Sequence, residues 1–190
     1  MSQPELLKSV VELLEQLDIG YMATGSTVSS LQGDPRSTHD IDIVVAVTAE
    51  DARRIAESFD PSKYYADSRA AAQAVERGGM FNVVDTVEGD KVDFWVLLDE
   101  PFDRSRFARR TTVAFLGLRL AVTAPEDTIL SKLRWARLSG GSEKQVWDAR
   151  RVYEVQAGVL DEEYLDEWAT RLDVTDELAA IRAAAQGSTT

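Results

Sequence analysis

Asp40 and Asp42 sit one residue apart in DIDIVVAV, residues 40–47, an otherwise apolar run. In an extended strand residues i and i+2 face the same way, so the two carboxylates project together while Ile41 and Ile43 point to the other side. Carboxylates held side by side repel, and partial burial strengthens the repulsion. A divalent cation between them removes the conflict. Asp93 interrupts a second apolar run in the same manner, KVDFWVLL over 91–98. A strand pairing next to 40–47 would bring it beside the first two. Three carboxylates at one strand edge make an oxygen-rich site for Mg²⁺ or Mn²⁺, and substrate phosphates would add ligands for a second ion. The competing reading is plain alternation of polar and apolar residues on a half-solvated antiparallel sheet.

Upstream, Gly25-Ser26 ends the short apolar run IGYMATG. A strand that breaks at glycine into a helical turn presents backbone N–H groups that suit a phosphate, and the serine hydroxyl adds a donor. Gly-Ser alone is a common turn. It gains meaning only beside the D-x-D and the later single aspartate.

The rest of the composition narrows the chemistry. The chain has 190 residues, 44% apolar and 28% charged, an ordinary globular composition. It has no cysteine and one histidine. Disulfides, thiolate chemistry, Cys-based zinc sites and His clusters are therefore excluded, and any metal must be held by carboxylates. No apolar run reaches the ~18 residues that span a bilayer. MSQPELLKSV lacks the pattern of a signal peptide. These features lead us to expect a cytoplasmic protein without membrane contact. The net charge of −12 is unevenly spread: residues 104–151 hold 11 Lys/Arg against 4 Asp/Glu. That basic stretch is either an anion-binding surface or the solvated face of arginine-rich helices.

The elements that must position these groups follow from local pattern. Residues 4–17 have helical periodicity. Strands are expected at 19–25, 40–47, 80–87 and 91–98, the last two joined as a hairpin through Gly89. A ribbon at 111–124 reverses near Gly117. Thr48 and Asp51 have capping-box spacing and open a helix over 49–58; a second helical stretch is expected over roughly 62–77. Residues 104–110 look helical or turn-like. Pro125 starts a helix to about 138, and Ser142–Gln145 reads as a capping box for a helix over 143–156. Two more helices follow. This layout is α+β: a short mixed β-sheet flanked by helices over 1–124, then a helical C-terminal region over 125–190, with a soft boundary.

The order Gly25-Ser26, Asp40-Ile41-Asp42, Asp93 resembles the DNA polymerase beta-type nucleotidyltransferase superfamily. GSTVSSLQGDPRSTHDIDIVV is similar to its small bacterial branch, where an arginine and Ser/Thr precede the D-x-D as Arg36, Ser37 and Thr38 do here. PEDTILSKLRWARLSGGSEKQVWDARRV resembles that branch more weakly and, distantly, abortive-infection-type nucleotidyltransferase toxins. The likeness spans roughly residues 10 to 170. It implies the nucleotidyltransferase fold and transfer of a nucleoside monophosphate from an NTP to an acceptor hydroxyl. It implies that Asp40 and Asp42 hold Mg²⁺, that Asp93 completes a second metal and helps deprotonate the acceptor, and that Gly25 and Ser26 hold the β and γ phosphates.

Arg36 would touch phosphate or brace its loop. Lys132 would reach the triphosphate with Asp148 nearby on the next helix, as in the toxin-like branch. Alternatively Lys132 is a surface lysine and Asp148 pairs with Lys144, Arg150 or Arg151. His39 precedes Asp40 and points to the opposite face, which favours a structural role. Trp95, Trp135, Trp147 and Trp168 offer stacking surfaces, although the helical ones read mostly as core. The acceptor stays open between an RNA 3′ end, a small molecule and a protein hydroxyl. A toxin-type member would have an antitoxin partner. The alternative function is a non-catalytic nucleotide-binding or antitoxin-partner module that keeps the fold.

Overall fold

The computed structural model describes residues 3–34, 40–115 and 117–187. In chain order the elements begin α1 (Gln3–Gln16), β1 (Tyr21–Thr24), α2 (Gly25–Gln32), β2 (Asp40–Val45), α3 (Ala49–Glu57), β3 (Tyr64–Tyr65), α4 (Ser68–Glu76), β4 (Met80–Asp85) and β5 (Lys91–Val96). They continue as α5 (Pro101–Ala108), β6 (Thr111–Phe115), β7 (Leu118–Val122), α6 (Pro125–Leu138), α7 (Glu143–Val155), α8 (Glu162–Arg171) and α9 (Thr175–Gly187). The chain divides into two compact units. One comprises Met1–Thr24 and Thr38–Val122, the other Gly25–Ser37 and Thr123–Thr190. Among the described residues no helix is long and apolar enough to cross a membrane.

The first unit is built on a seven-stranded sheet in the order β3-β4-β5-β2-β1-β7-β6. It is mixed: β2 runs parallel to β5 and β1 parallel to β7, while the other neighbours are antiparallel. Ile41, Ile43, Val83, Val92 and Phe94 are all buried on one side of the sheet. Phe81 stacks on Phe94 across the β4–β5 pair, ring centroids 5.0 Å apart. Burying each such side chain is worth about 1.5–3 kcal/mol, so this face fixes the strand register. The capping box at Thr48 forms: Asp51 N–H donates to Thr48 Oγ1 at 3.2 Å, and Thr48 N–H donates to Asp51 Oδ2 at 3.0 Å.

The helix expected over 62–77 is a correction. Tyr64 and Tyr65 instead extend the sheet, with Tyr64 opposite Asp85 and Tyr65 opposite Val84. Two aspartates enforce the break. Asp60 Oδ1 accepts from Ser62 N–H at 2.9 Å and sets a turn. Asp67 Oδ1 accepts from the N–H groups of Arg69 and Ala70, both at 2.9 Å, and starts α4 afresh.

The second unit is helical: α2 with α6, α7, α8 and α9. Its core includes Val28, Ile129, Leu130, Leu133, Val152, Leu165 and Ile181. The C-terminal end of α2 lies close against α7. A β-carbon on Gly33 would stand 3.1 Å from the Val152 nitrogen and 3.0 Å from the Ser29 oxygen, so a larger residue would push these backbones apart by a few tenths of an ångström. Gln156 Nε2 donates to the Gln32 carbonyl at 2.9 Å, and Arg151 grips Asp34 with two bonds of 2.6 and 2.8 Å. These contacts explain why residues 25–34 go with the helices rather than with the sheet that precedes them in sequence.

Two further expectations change here. Ser142 is the N-cap of α7, yet its side chain makes no cap bond. The Ser142 carbonyl accepts from Gln145 N–H at 3.0 Å, so the backbone already meets that donor. Trp135 and Trp147 are about half exposed, at 54% and 47%, whereas Trp168 is buried. The interior of α6 is filled by Ile129, Leu130, Leu133 and Ala136, which leaves Trp135 on the outer side.

Candidate active site

The parallel pairing of β2 with β5 decides which side chains meet. Asp40 lies opposite Lys91, Asp42 opposite Asp93, and Val44 opposite Trp95. Paired residues on adjacent strands are about 4.8 Å apart and share a face. The row extends outward on both sides: Thr24 of β1 pairs with Asp42, and Asn82 of β4 pairs with Asp93. Four polar residues thus cross four strands in one line, opposite the face that carries Ile41, Ile43 and Phe94. Thr24 and Asn82 escaped sequence reasoning. Their signal was present, since each is a polar residue in phase with an aspartate's face, but phase alone does not show register.

The line is asymmetric in exposure. Asp40 is exposed, Asp42 is half-buried, and Asp93 is buried. Trp95 Nε1 donates to Asp42 Oδ1 at 3.1 Å, which orients that carboxylate along the strand. Asp93 Oδ2 receives the Lys91 ammonium at 2.8 Å, while Asp93 Oδ1 is buried with no hydrogen-bond partner among the described residues. Leaving a buried charged acceptor unmet costs at least about 1–3 kcal/mol. The Lys91 Nζ also lies 3.7 Å from Asp40 Oδ1. Its hydrogen bond to Asp93 raises the lysine's pKa above 10.5, partial burial opposes the shift, and the charges of Asp93, Asp40 and Asp42 add to it.

What these donors could hold follows from their chemistry. Among the described residues no group of three His, Cys, Asp or Glu side chains gathers around a metal position. The register does place two carboxylates side by side, and one has a buried oxygen that no proton donor reaches. Oxygen-only donors of this kind fit a hard divalent cation such as Mg²⁺ or Mn²⁺. Between Asp93 and Asp40 the positive charge is already supplied by Lys91.

The remaining candidates belong to the second unit or lie outside the described residues. Gly25 and Ser26 belong to the helical unit, at the start of α2. Gly25 has φ 68°, a left-handed conformation that suits glycine and turns the chain from strand into helix. Lys132 and Asp148 also belong to the helical unit, on α6 and α7. Their side chains are 7% and 3% exposed and form an ion pair at 2.9 Å. Lys132 is therefore not a surface lysine, and Asp148 has its partner in Lys132. Arg36 and His39 lie outside the described residues.

Five arginines of the basic stretch 104–151 are held in ion pairs. Arg104 pairs with Asp99, Arg106 with Asp103, Arg137 with Asp173 and Glu177, and Arg150 with Glu154. Arg151 pairs with Asp34 and Glu154.

No family model matches the chain, and no curated protein matches its sequence. Solved structures match its fold. An antigenic nucleotidyltransferase-like protein from Paracoccidioides brasiliensis aligns over 95% of this chain and 93% of its own, with a TM-score of 0.55 and 20% identity. The antibiotic-resistance factor ANT(2″)-Ia aligns over 97% of both chains, with a TM-score of 0.55 and 12% identity. The lincosamide antibiotic adenylyltransferase LnuA, solved with lincomycin bound, covers 82% of this chain and 98% of its own, with a TM-score of 0.53 and 14% identity. At these identities the likeness is one of architecture, and the architecture is the nucleotidyltransferase fold.

Proposed function

We propose that the chain is a divalent-metal-dependent nucleotidyltransferase, moving a nucleoside monophosphate from an NTP to an acceptor hydroxyl with release of pyrophosphate. One observation carries the reading: Asp42 and Asp93 stand in register on adjacent parallel strands, with Asp40 on the same face, in a sheet of this fold. Asp40, Asp42 and Asp93 would hold the metal. When bound, Mg²⁺ neutralises the triphosphate and the charge that develops during transfer. Asp93 would also help to deprotonate the acceptor hydroxyl. Asp42 is kept in its orientation by Trp95. Gly25 and Ser26 hold the β and γ phosphates through backbone N–H groups and the serine hydroxyl, with Arg36 as a further phosphate contact. Lys132 and Asp148 enter the reading as a brace between α6 and α7 rather than as phosphate ligands.

For the acceptor we favour a small hydroxylated molecule. LnuA and ANT(2″)-Ia are described as an antibiotic adenylyltransferase and an antibiotic-resistance factor, and the second has also been solved with adenylyl-2″-tobramycin. A chain of net charge −12 attracts cationic small molecules more readily than RNA. An RNA 3′ end, and with it a toxin role restrained by an antitoxin, is the competing acceptor. The ion pairs of Lys91 favour one other reading, a nucleotide-binding module without catalysis, because they occupy two of the three carboxylates.

The test is incubation with Mg²⁺ and each α-labelled NTP in turn, with aminoglycosides, lincosamides or total RNA as acceptor. Label should move to a small molecule with the wild-type chain and not with Asp42→Asn. Transfer to RNA alone would replace the acceptor. NTP binding without transfer, unchanged in Asp42→Asn, would leave the non-catalytic module.

A further inference from the structure

We infer that Lys91 is a built-in cation that holds one of the metal positions of the carboxylate face, and that a divalent ion reaches Asp40 and Asp93 together only by displacing it. The inference rests on the nucleotidyltransferase reading and adds a competitor inside the site. Lys91 is two residues before Asp93 on β5, so both side chains leave the same face of the sheet. The parallel register sets Asp40 directly opposite Lys91. Its ammonium bridges the two acids at 2.8 and 3.7 Å, the shorter contact being to a carboxylate only 8% exposed. The lysine itself is 31% exposed, so it has a path off the carboxylates toward water.

The electrostatics follow from that placement. With Lys91 in place the face carries three carboxylates and one ammonium. Asp42, which also accepts from Trp95 Nε1, and the buried Asp93 Oδ1 opposite it would then serve a single divalent ion. A second ion would share Asp40 and Asp93 Oδ2 with a cation already there, and like charges at contact distance exclude each other. The lysine also holds the carboxylates together before metal arrives, when their mutual repulsion is greatest.

The measurement is Mn²⁺ binding to the free chain, read as the loss of the free-ion electron paramagnetic resonance signal. No turnover is involved. Lys91→Met should bind one more Mn²⁺ than the wild type, or bind its Mn²⁺ at least roughly tenfold more tightly, the effect of about one released ion pair. Lys91→Gln, similar in length and uncharged, should do the same, with circular dichroism as the check on folding. In the wild-type chain the Lys91 ammonium resonance should shift as Mg²⁺ is added, which reads displacement without any substitution. Equal Mn²⁺ stoichiometry and affinity in all three chains, with an unmoved ammonium resonance, would overturn the inference and leave the nucleotidyltransferase reading intact. Absence of Mn²⁺ binding in the wild type and both variants would overturn that reading as well.

Discussion

Replacing Lys132 by methionine tests whether the α6–α7 pair is a brace or a ligand. The side chains of Lys132 and Asp148 are 7% and 3% exposed, and the Nζ–Oδ2 distance is 2.9 Å. Methionine keeps nearly the same length and volume but removes the charge. The Asp148 carboxylate is then left buried without its ammonium, a defect that typically costs about 3–5 kcal/mol. With a urea dependence of about 2 kcal/mol per molar for a chain of this size, the unfolding midpoint should fall by roughly 2 M. Adding Asp148→Asn removes that buried negative charge. What remains is an incompletely satisfied buried amide at about 1–3 kcal/mol, so the double variant should recover about half of the loss. Unfolding is followed by circular dichroism, with NTP binding measured below the transition. The brace reading fails if Lys132→Met moves the midpoint by less than about 0.5 M and yet abolishes NTP binding, because a structural lysine cannot be removed from so buried a pair at so small a cost.

Two further outcomes follow from single contacts. Arg151 holds the Asp34 carboxyl below its ordinary pKa, chiefly through its hydrogen bonds; desolvation opposes the shift and the arginine's charge adds to it. A depressed carboxylate stabilises fully above its unfolded pKa of about 3.9 and loses that contribution as pH falls through the folded value. Asp34→Asn should therefore flatten the loss of stability below about pH 4 in pH-dependent melting, and identical acid limbs would refute the linkage. Gly25 sits at φ 68°, so Gly25→Ala should cost about 1–2 kcal/mol in thermal unfolding. An unchanged melting temperature would mean that the strand-to-helix turn does not depend on that conformation.

The elements that local pattern announced are those whose causes are local. α1 has its apolar stripe, α3 its capping box, and the β4–β5 hairpin its alternating runs around Gly89. The stretch 62–77 went astray because the forces that shape it are not confined to it. Tyr64 and Tyr65 are extended because β4 is there to pair with them, and that partner is some twenty residues away in sequence. The candidate site divides in the same way. Asp40, Asp42 and Asp93 announce themselves as acids in apolar strands, a property each residue carries alone. That Asp42 faces Asp93, while Asp40 faces a lysine, is a property of register, and register is settled by the buried side of the sheet. Lys91 was in plain view in KVDFW, in phase with Asp93, yet without the pairing its charge had no address. A slip of one residue between β2 and β5 would turn Ile41 and Ile43 to the polar face, and the loss of their burial is what prevents it. The charge pattern of the polar face is thus written in the apolar residues behind it. Substitutions at Ile41, Ile43 or Phe94 that loosen this register would disturb the carboxylates without touching them.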